Sequence, residues 1–420
     1  MRSWLPVAAS LALTLATPAP AQSVRTWTSD SSQRWNRNSN WSGSNQPNAS
    51  NEVAQFGTGA QLNPELNANN LTIRGILFSS GASSYVVGDD NGSRTLKIGN
   101  GTSGYIQNNS AANQAISIST LQFQSDATIS TNAAGTLTLD SRLTGNNRDL
   151  VFDTDADVTV HGNITTGSGT LTKQGNADLH LSGANTYSGQ TTVNAGAIVL
   201  EASNVFADVN RISLGTNGTL RLNDYSDTIA RLSGTGNVDF GTSGAGSLTL
   251  GSGTSLFAGS FSGSGQLIIG AGATLVLGAD FNNTNLAITL AGGTLQLAGY
   301  SLTAGTLNIS GNSQIDFGAG AADSQLDVQG VSFTAGTLGL TVTNWADAAD
   351  FFYSSTGYVQ GAAPLDQIGF QGWSTADTKW QSFDHQVTPV PEPGVYGALL
   401  LGSLLAVTGA RPFCRRGRAN

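Results

Sequence analysis

Cysteine is almost absent from this chain of 420 residues: Cys414 stands alone, so no intramolecular disulfide can staple it and no cysteine-built metal site can form. Histidine is nearly as scarce. His161, His180 and His385 are too dispersed to spell a metal motif, although stacking of repeats could bring the first two together, and they read as surface residues. Charge is thin, at 11% of residues, and the shortage is mainly of basic groups, with 18 Lys and Arg against 27 Asp and Glu. Five basic residues lie at the ends: Arg2 in front, and Arg411, Arg415, Arg416 and Arg418 behind. The body is then left with a net charge of about −14. A body so acidic carries no electrostatic footprint for nucleic acid or anionic lipid, and no nucleic-acid partner is expected. Cation-mediated contact with acidic polysaccharide stays open. No Gly-x-Ser-x-Gly elbow precedes a helical pattern, which removes the usual signature of a serine hydrolase.

What is present instead is glycine, 53 residues against 10 prolines, in a background of Ser, Thr, Asn and Gln through which Leu, Ile and Val recur at regular spacing. A disordered chain lacks that regularity. One phrase returns along the body: Gly, a small residue, then aliphatic residues alternating with polar ones. It reads Gly135-Thr-Leu-Thr-Leu139, Gly169-Thr-Leu-Thr-Lys173, Gly196-Ala-Ile-Val-Leu200, Gly218-Thr-Leu-Arg-Leu222 and Gly246-Ser-Leu-Thr-Leu250. Gly293-Thr-Leu-Gln-Leu297, Gly305-Thr-Leu-Asn-Ile309 and Gly336-Thr-Leu-Gly-Leu340 follow. Most copies lie roughly 20 to 30 residues apart, the repeat length of a solenoid.

Alternation with period two over about five residues predicts short strands with one buried face. No copy can bury that face alone, so the copies must stack. Stacking predicts an all-β fold, a parallel β-helix of the right-handed kind that crossover connections favour, with Leu137, Leu139, Leu220, Leu222, Leu248, Leu250, Leu295 and Leu297 in one inner column. The aromatic clusters Trp27, Trp35 and Trp41 at the start, and Trp345, Phe351, Phe352, Tyr353, Phe370, Trp373 and Trp380 at the end, are candidate caps for the open strand edges. They could alternatively stack on sugars.

The two ends read as addresses. Arg2, the apolar run Leu5 to Leu15 and the small residues Ala19 and Ala21 around Pro20 compose a signal peptide over 1–21, with cleavage before Gln22. At the other end Pro391-Glu392-Pro393 precedes an uncharged stretch over 394–410 and then the arginines of the tail. As a helix that stretch rises roughly 25 Å, enough to span a membrane once with local thinning. Arg411, Arg415, Arg416 and Arg418 would act as the cytoplasmic stop.

The order Pro-Glu-Pro, apolar span, basic cluster over 389–420 resembles the PEP-CTERM sorting signal of Gram-negative bacteria. The resemblance implies an exosortase-type processing enzyme as partner, transient anchoring in the inner membrane, and Pro391, Glu392 and Pro393 as the recognition element. A second resemblance covers 169–200. There Gly169-Thr-Leu-Thr-Lys-Gln-Gly175, Leu181-Ser-Gly-Ala-Asn-Thr-Tyr-Ser-Gly189 and Gln190-Thr-Thr-Val-Asn-Ala-Gly-Ala-Ile-Val-Leu200 are similar to the autotransporter-associated β-strand repeat, also called the passenger-associated transport repeat. True autotransporters end in an outer-membrane barrel, and the sequence after residue 340 is expected to hold none. The likeness therefore implies a structure rather than a secretion route.

These readings divide the chain into a signal peptide (1–21), an N-terminal cap (22–60), β-helix repeats (61–342), a C-terminal cap and linker (343–388) and the sorting signal (389–420). Chemistry is sparse. Asp149, Asp153, Asp155 and Asp157 make the one dense acidic patch, and alternation would put Asp153, Asp155 and Asp157 on one strand face as calcium candidates. Asp239 and Asp316 are further strand acids with no basic neighbour in sequence. The expected function is therefore structural and non-enzymatic, without a cofactor: an exported solenoid displayed at the cell surface or in the exopolysaccharide matrix. A carbohydrate-binding adhesin using Trp373 or Trp380 is one alternative, and a β-helical polysaccharide lyase or hydrolase using Asp153 or Asp155 is the other.

Overall fold

The computed structural model describes residues 22–389 apart from Asp30, Ala60, Asn100, Thr102, Ala321, Ala322 and Ala348. The signal segment with Ala19 and Ala21, the Pro391-Glu392-Pro393 motif, the 394–410 span and the tail arginines lie outside the described residues. Within them the chain is a parallel β-solenoid of about 13 turns, and helix is confined to 3-10 turns of three residues each. No helix among the described residues is long and apolar enough to cross a membrane.

Each coil has three faces taken in the same order. Leu150–Thr154 lies on the first face, Val158–Val160 on the second and Ile164–Thr165 on the third, after which Leu171–Gln174 returns to the first. The return is in register, with Leu150 beside Leu171 and Val158 beside Leu179. Strand pairing is parallel along every face. The one antiparallel strand pair among the described residues is a closing hairpin, Thr378–Trp380 with Val387–Pro389. Period-two alternation is realised strand by strand: Leu137 and Leu139 are buried while Thr138 between them is only half-buried.

All eight leucines expected inside are fully buried, but they do not form a single column. Leu137 and Leu220 line the second face, Leu248 and Leu250 the third, and Leu295 the first. The glycine-led phrase marks a corner followed by an inward-pointing strand, and every face of the coil needs such a start. Thr191–Leu200 and Arg211–Arg221 are long because each bends around the corner between the first two faces, with a register shift between Val193 and Ala195.

The ladder extends into both segments expected to be caps. Its first rung is Ser23–Thr26, paired with Glu52–Phe56, and its last on the first face is Ile368–Phe370. The start is plugged by Trp27, Trp35 and Trp41, all buried, with edge-to-face contacts of 5.0 and 4.8 Å leading onto Phe56 and Phe78. At the far end Trp345 sits edge-on between Phe317 and Phe370, at 4.9 and 5.0 Å. The hairpin backs the second face there, where the Ser354 amide donates to the His385 carbonyl at 2.9 Å. Packing thus accounts for these tryptophans, and the strand edges they close are the ones prone to pair with other chains.

Close stacking explains why particular corners are glycine. A Cβ at Gly169 would run into the Arg148 carbonyl of the preceding coil, whereas one at Gly336 would meet open space. Gly169→Ala should lower stability by about 2 kcal/mol or more, as overpacking against rigid backbone does, and Gly336→Ala should change it by less than about 0.5 kcal/mol. Urea midpoints of the two variants measure the difference.

Candidate functional site

Three features stand out: a buried polar cluster inside one coil, a charged strip outside it, and a polar cleft near the C-terminal end. The cluster begins at Lys173, which the alternation Leu171-Thr-Lys173 turns inward. Its side chain is fully buried, and Nζ donates to the carbonyls of Gln174, Gly175 and Ala195 at 3.0, 2.8 and 3.0 Å. Desolvation by burial pulls its pKa down to about 8, against the opposing attraction of Asp178, Asp153 and Asp157.

In the next stretch the third-face ladder has no strand. From Ser182 to Gly189 the chain keeps contact through scattered backbone bonds, such as Thr186 to the Ile164 carbonyl at 3.0 Å and Ser188 to the Gly167 carbonyl at 2.8 Å, and through side chains that imitate a backbone. Buried Asn185 accepts the Ile164 amide on Oδ1 at 2.7 Å, and its backbone N–H donates to the Val205 carbonyl at 2.9 Å. One coil on, buried Asp227 accepts the amides of Val205 and Phe206 at 2.8 and 3.1 Å. Burial pushes the Asp227 carboxyl up to about 6, with those hydrogen bonds pulling the other way. Tyr187 fills the core beside this gap. Its phenolic oxygen lies 2.7 Å from Thr191 Oγ1, which donates to Asn210 Oδ1 at 2.8 Å. Burial raises the Tyr187 pKa well above the ordinary phenol range.

Outside, on the second face, stacking pairs acids with bases from neighbouring coils. His161 Nδ1 lies 2.6 Å from Asp140, and His180 Nδ1 lies 2.7 Å from Glu201. The two histidines do not meet, because the register places His180 beside Thr159. Arg221 reaches across two coils to Asp178 at 2.8 Å and also lies 3.7 Å from Asp239, giving that aspartate the basic partner that sequence alone did not show. Asp316 accepts from Asn344 Nδ2 at 2.6 Å.

The acidic patch does not share one strand face. The strand ends at Thr154, so Asp153 is on it while Asp155 and Asp157 lie in the following corner. The corner forms because Thr131 of the preceding coil holds the Asp155 and Ala156 amides. Asp157 instead accepts the Asp178 amide at 3.0 Å, and Asp149 accepts the Thr170 amide at 2.7 Å, so these acids bond coil to coil. Among the described residues no group of three or more His, Cys, Asp or Glu converges to hold a metal ion.

The cleft, of about 670 Å³, opens on the first face. Its floor carries Thr294, Gln314 and Thr341, which are register neighbours, and its walls include Asn312, Asp366 and Thr375. Gln367 is buried and pins one wall by donating to the carbonyls of Ala335 and Leu338 at 3.0 and 2.9 Å. Of the two tryptophans considered for sugar stacking, Trp380 is anchored, donating to the Ser354 carbonyl at 3.0 Å and stacking on His385 at 5.5 Å. Trp373 is 37% exposed and lies two residues before Thr375 of the cleft.

Residues 171–200 match the passenger-associated-transport-repeat family. The matched segment holds Lys173, Asn185, Tyr187 and Thr191, so the phrase that carries the match is the one where side chains supplement an interrupted ladder. The chain is also similar to "Adhesin BmaC autotransporter" of Brucella suis biovar 1 (strain 1330), at 28% identity over 193 residues. That stretch is 41% of this chain and 6% of the relative, so the chain spans only a small part of that protein's length. No solved structure matches the chain.

The passenger-type repeat therefore supplies a coil with a buried cation, and that cation has a pH signature. Lys173 titrates near 8 when folded and near 10.5 when unfolded, so below pH 8 both states hold the proton and the folded state carries the burial cost. Between those values the unfolded chain binds more protons, and stability rises with pH. Wild type should gain up to about 3 kcal/mol relative to Lys173→Met as pH rises from 7 to 11, read from urea unfolding of both proteins across that range.

Proposed function

We propose that this passenger-like solenoid is an exported structural protein of a Gram-negative bacterium, displayed at the cell surface or in the exopolysaccharide matrix. The observation that carries the reading is the passenger-type repeat at 171–200, set in register within a continuous parallel stack. In this reading the stack is right-handed, backbone ladders supply rigidity, and the sparsely charged exterior supplies many weak hydrogen-bonding groups to neighbours. The role is display rather than catalysis: Asp153, Asp155 and Asp157 are divided between strand and corner, and Asp157 is engaged in bonding one coil to the next.

The route of delivery belongs to the same proposal. An exosortase-type enzyme would recognise Pro391, Glu392 and Pro393 while a helix over 394–410 holds the chain in the inner membrane and Arg411, Arg415, Arg416 and Arg418 stay cytoplasmic. A second reading, adhesion to glycans, draws support from the likeness to an adhesin and from the polar cleft.

Peptide mass spectrometry of the protein recovered from surface and matrix fractions of its native host tests delivery. The expected C-terminal peptide ends near Pro391 to Pro393 or carries added mass there. Recovery of an intact Arg415-Arg416 tail in the inner membrane alone would overturn surface display.

A further inference from the structure

We infer that the first-face cleft is a binding site for a neutral, linear glycan lying along the solenoid axis. The inference rests on the surface-display reading above and names the ligand class that its adhesive form would take. The floor of the cleft is the end of a longer column. Thr254, Thr274, Thr294, Gln314 and Thr341 stand beside one another on successive coils, all on outward-facing positions. Neighbouring parallel strands are about 4.8 Å apart, so the column offers one polar side chain at each such step along the axis. A ligand that follows it must itself be extended and repetitive.

The chemistry of the walls fixes the class. Among the described residues Asp366 is the single ionisable one lining the cleft, and no Lys, Arg or His lines it. A phosphate, sulfate or uronate would enter beside a carboxylate with no cation to meet it, which is repulsive. The lining offers Leu338 as its one large aliphatic side chain, too little to hold a lipid or an apolar peptide. Hydroxyl, carboxamide and carboxylate groups remain, together with the backbone of four glycines. Some of these groups are already committed to the fold. Asn312 Oδ1 accepts the Gly339 amide at 2.9 Å, and Gln314 Nε2 donates to Thr343 at 2.8 Å. Those bonds leave the Asn312 NH₂ and the Gln314 carbonyl oxygen available, and they hold both amides in fixed orientation. Asp366 is exposed and accepts only, so it suits a pair of neighbouring sugar hydroxyls. Preorganised polar groups of this kind recognise a hydroxylated neutral ligand by its own donors and acceptors.

The site is also built rather than incidental. The loop at 336–339 and the turn at Asp366–Gln367 come from segments about 30 residues apart. Buried Gln367 ties them together through its two bonds to Ala335 and Leu338.

The test is a glycan array followed by titration with the purified mature chain, using neutral and uronate-containing oligosaccharides at equal length. Thr341→Arg fills the floor of the cleft, Asp366→Ala removes the acceptor from its wall, and Thr138→Arg makes the same change as the first on the second face. Circular dichroism and urea midpoints confirm that each variant is folded. The expected result is binding of neutral oligosaccharides that strengthens with chain length, falls about tenfold or more in both cleft variants, and is unchanged in Thr138→Arg. Neutral glycan binding that both cleft variants retain would overturn this site while leaving adhesion elsewhere on the solenoid intact. Preference for uronate-containing chains would overturn the ligand class. Absence of any glycan binding would overturn the site and the adhesive reading together, and surface display would still be decided by the C-terminal mass.

Discussion

A strand with one apolar face and two open edges is unstable alone, and in this protein both defects are cured by the same neighbour. The coil above and the coil below take up the backbone amides and carbonyls, and their inward side chains close over the apolar face. The spacing between coils is therefore set by backbone hydrogen bonds, and every other feature must fit inside that spacing. Glycine at a corner such as Gly169 is one result, since a single added carbon would meet the carbonyl of the coil before it. Aromatic plugs at both ends are another, because among the described residues the first and last rungs lack a second neighbour.

The same constraint explains why the most polar part of the interior lies where the ladder is interrupted. Between Ser182 and Gly189 the third face has no strand, yet amides on the coils before and after still need acceptors. Asn185 and Asp227 provide them from side chains, and Tyr187, Thr191 and Asn210 fill the remaining space as a closed hydrogen-bonded group. Leaving such groups unpaired costs more than forming the bonds gains, so the set is tightly interdependent. Lys173 sits one corner away and satisfies three carbonyls that a leucine could not. The passenger-type phrase thus interrupts the third-face strand ladder while keeping the neighbouring coils bonded.

Much of this was legible in the sequence, and the reasons are local. Period-two alternation after glycine is a property of five residues at a time, so strands such as Leu137–Leu139 and Gly246–Leu250 could be read directly. The face each strand occupies depends on corner geometry summed over many residues, and there the expected single leucine column divided among three faces. Cross-coil partners were likewise out of reach. Arg221 and Asp178 are 43 residues apart, and nothing in either neighbourhood announces the pair. The aspartates at 153, 155 and 157 misled because alternation was extended past the strand end, which Thr131 of another coil determines. The cleft was invisible for the same reason, since its floor and walls come from four separate segments that only stacking brings together.

The family match covers 30 residues, and the claim that the flanking coils belong to one continuous stack goes well beyond it. Hydrogen–deuterium exchange of the purified chain, read peptide by peptide, addresses that claim most directly. The account predicts contiguous protection of the rung strands from Glu52–Phe56 to Leu340–Thr343, with corners exchanging faster and the strands around Thr191–Leu200 and Arg211–Arg221 among the slowest. Protection confined to 171–200, with the flanks exchanging at unfolded rates, would contradict it.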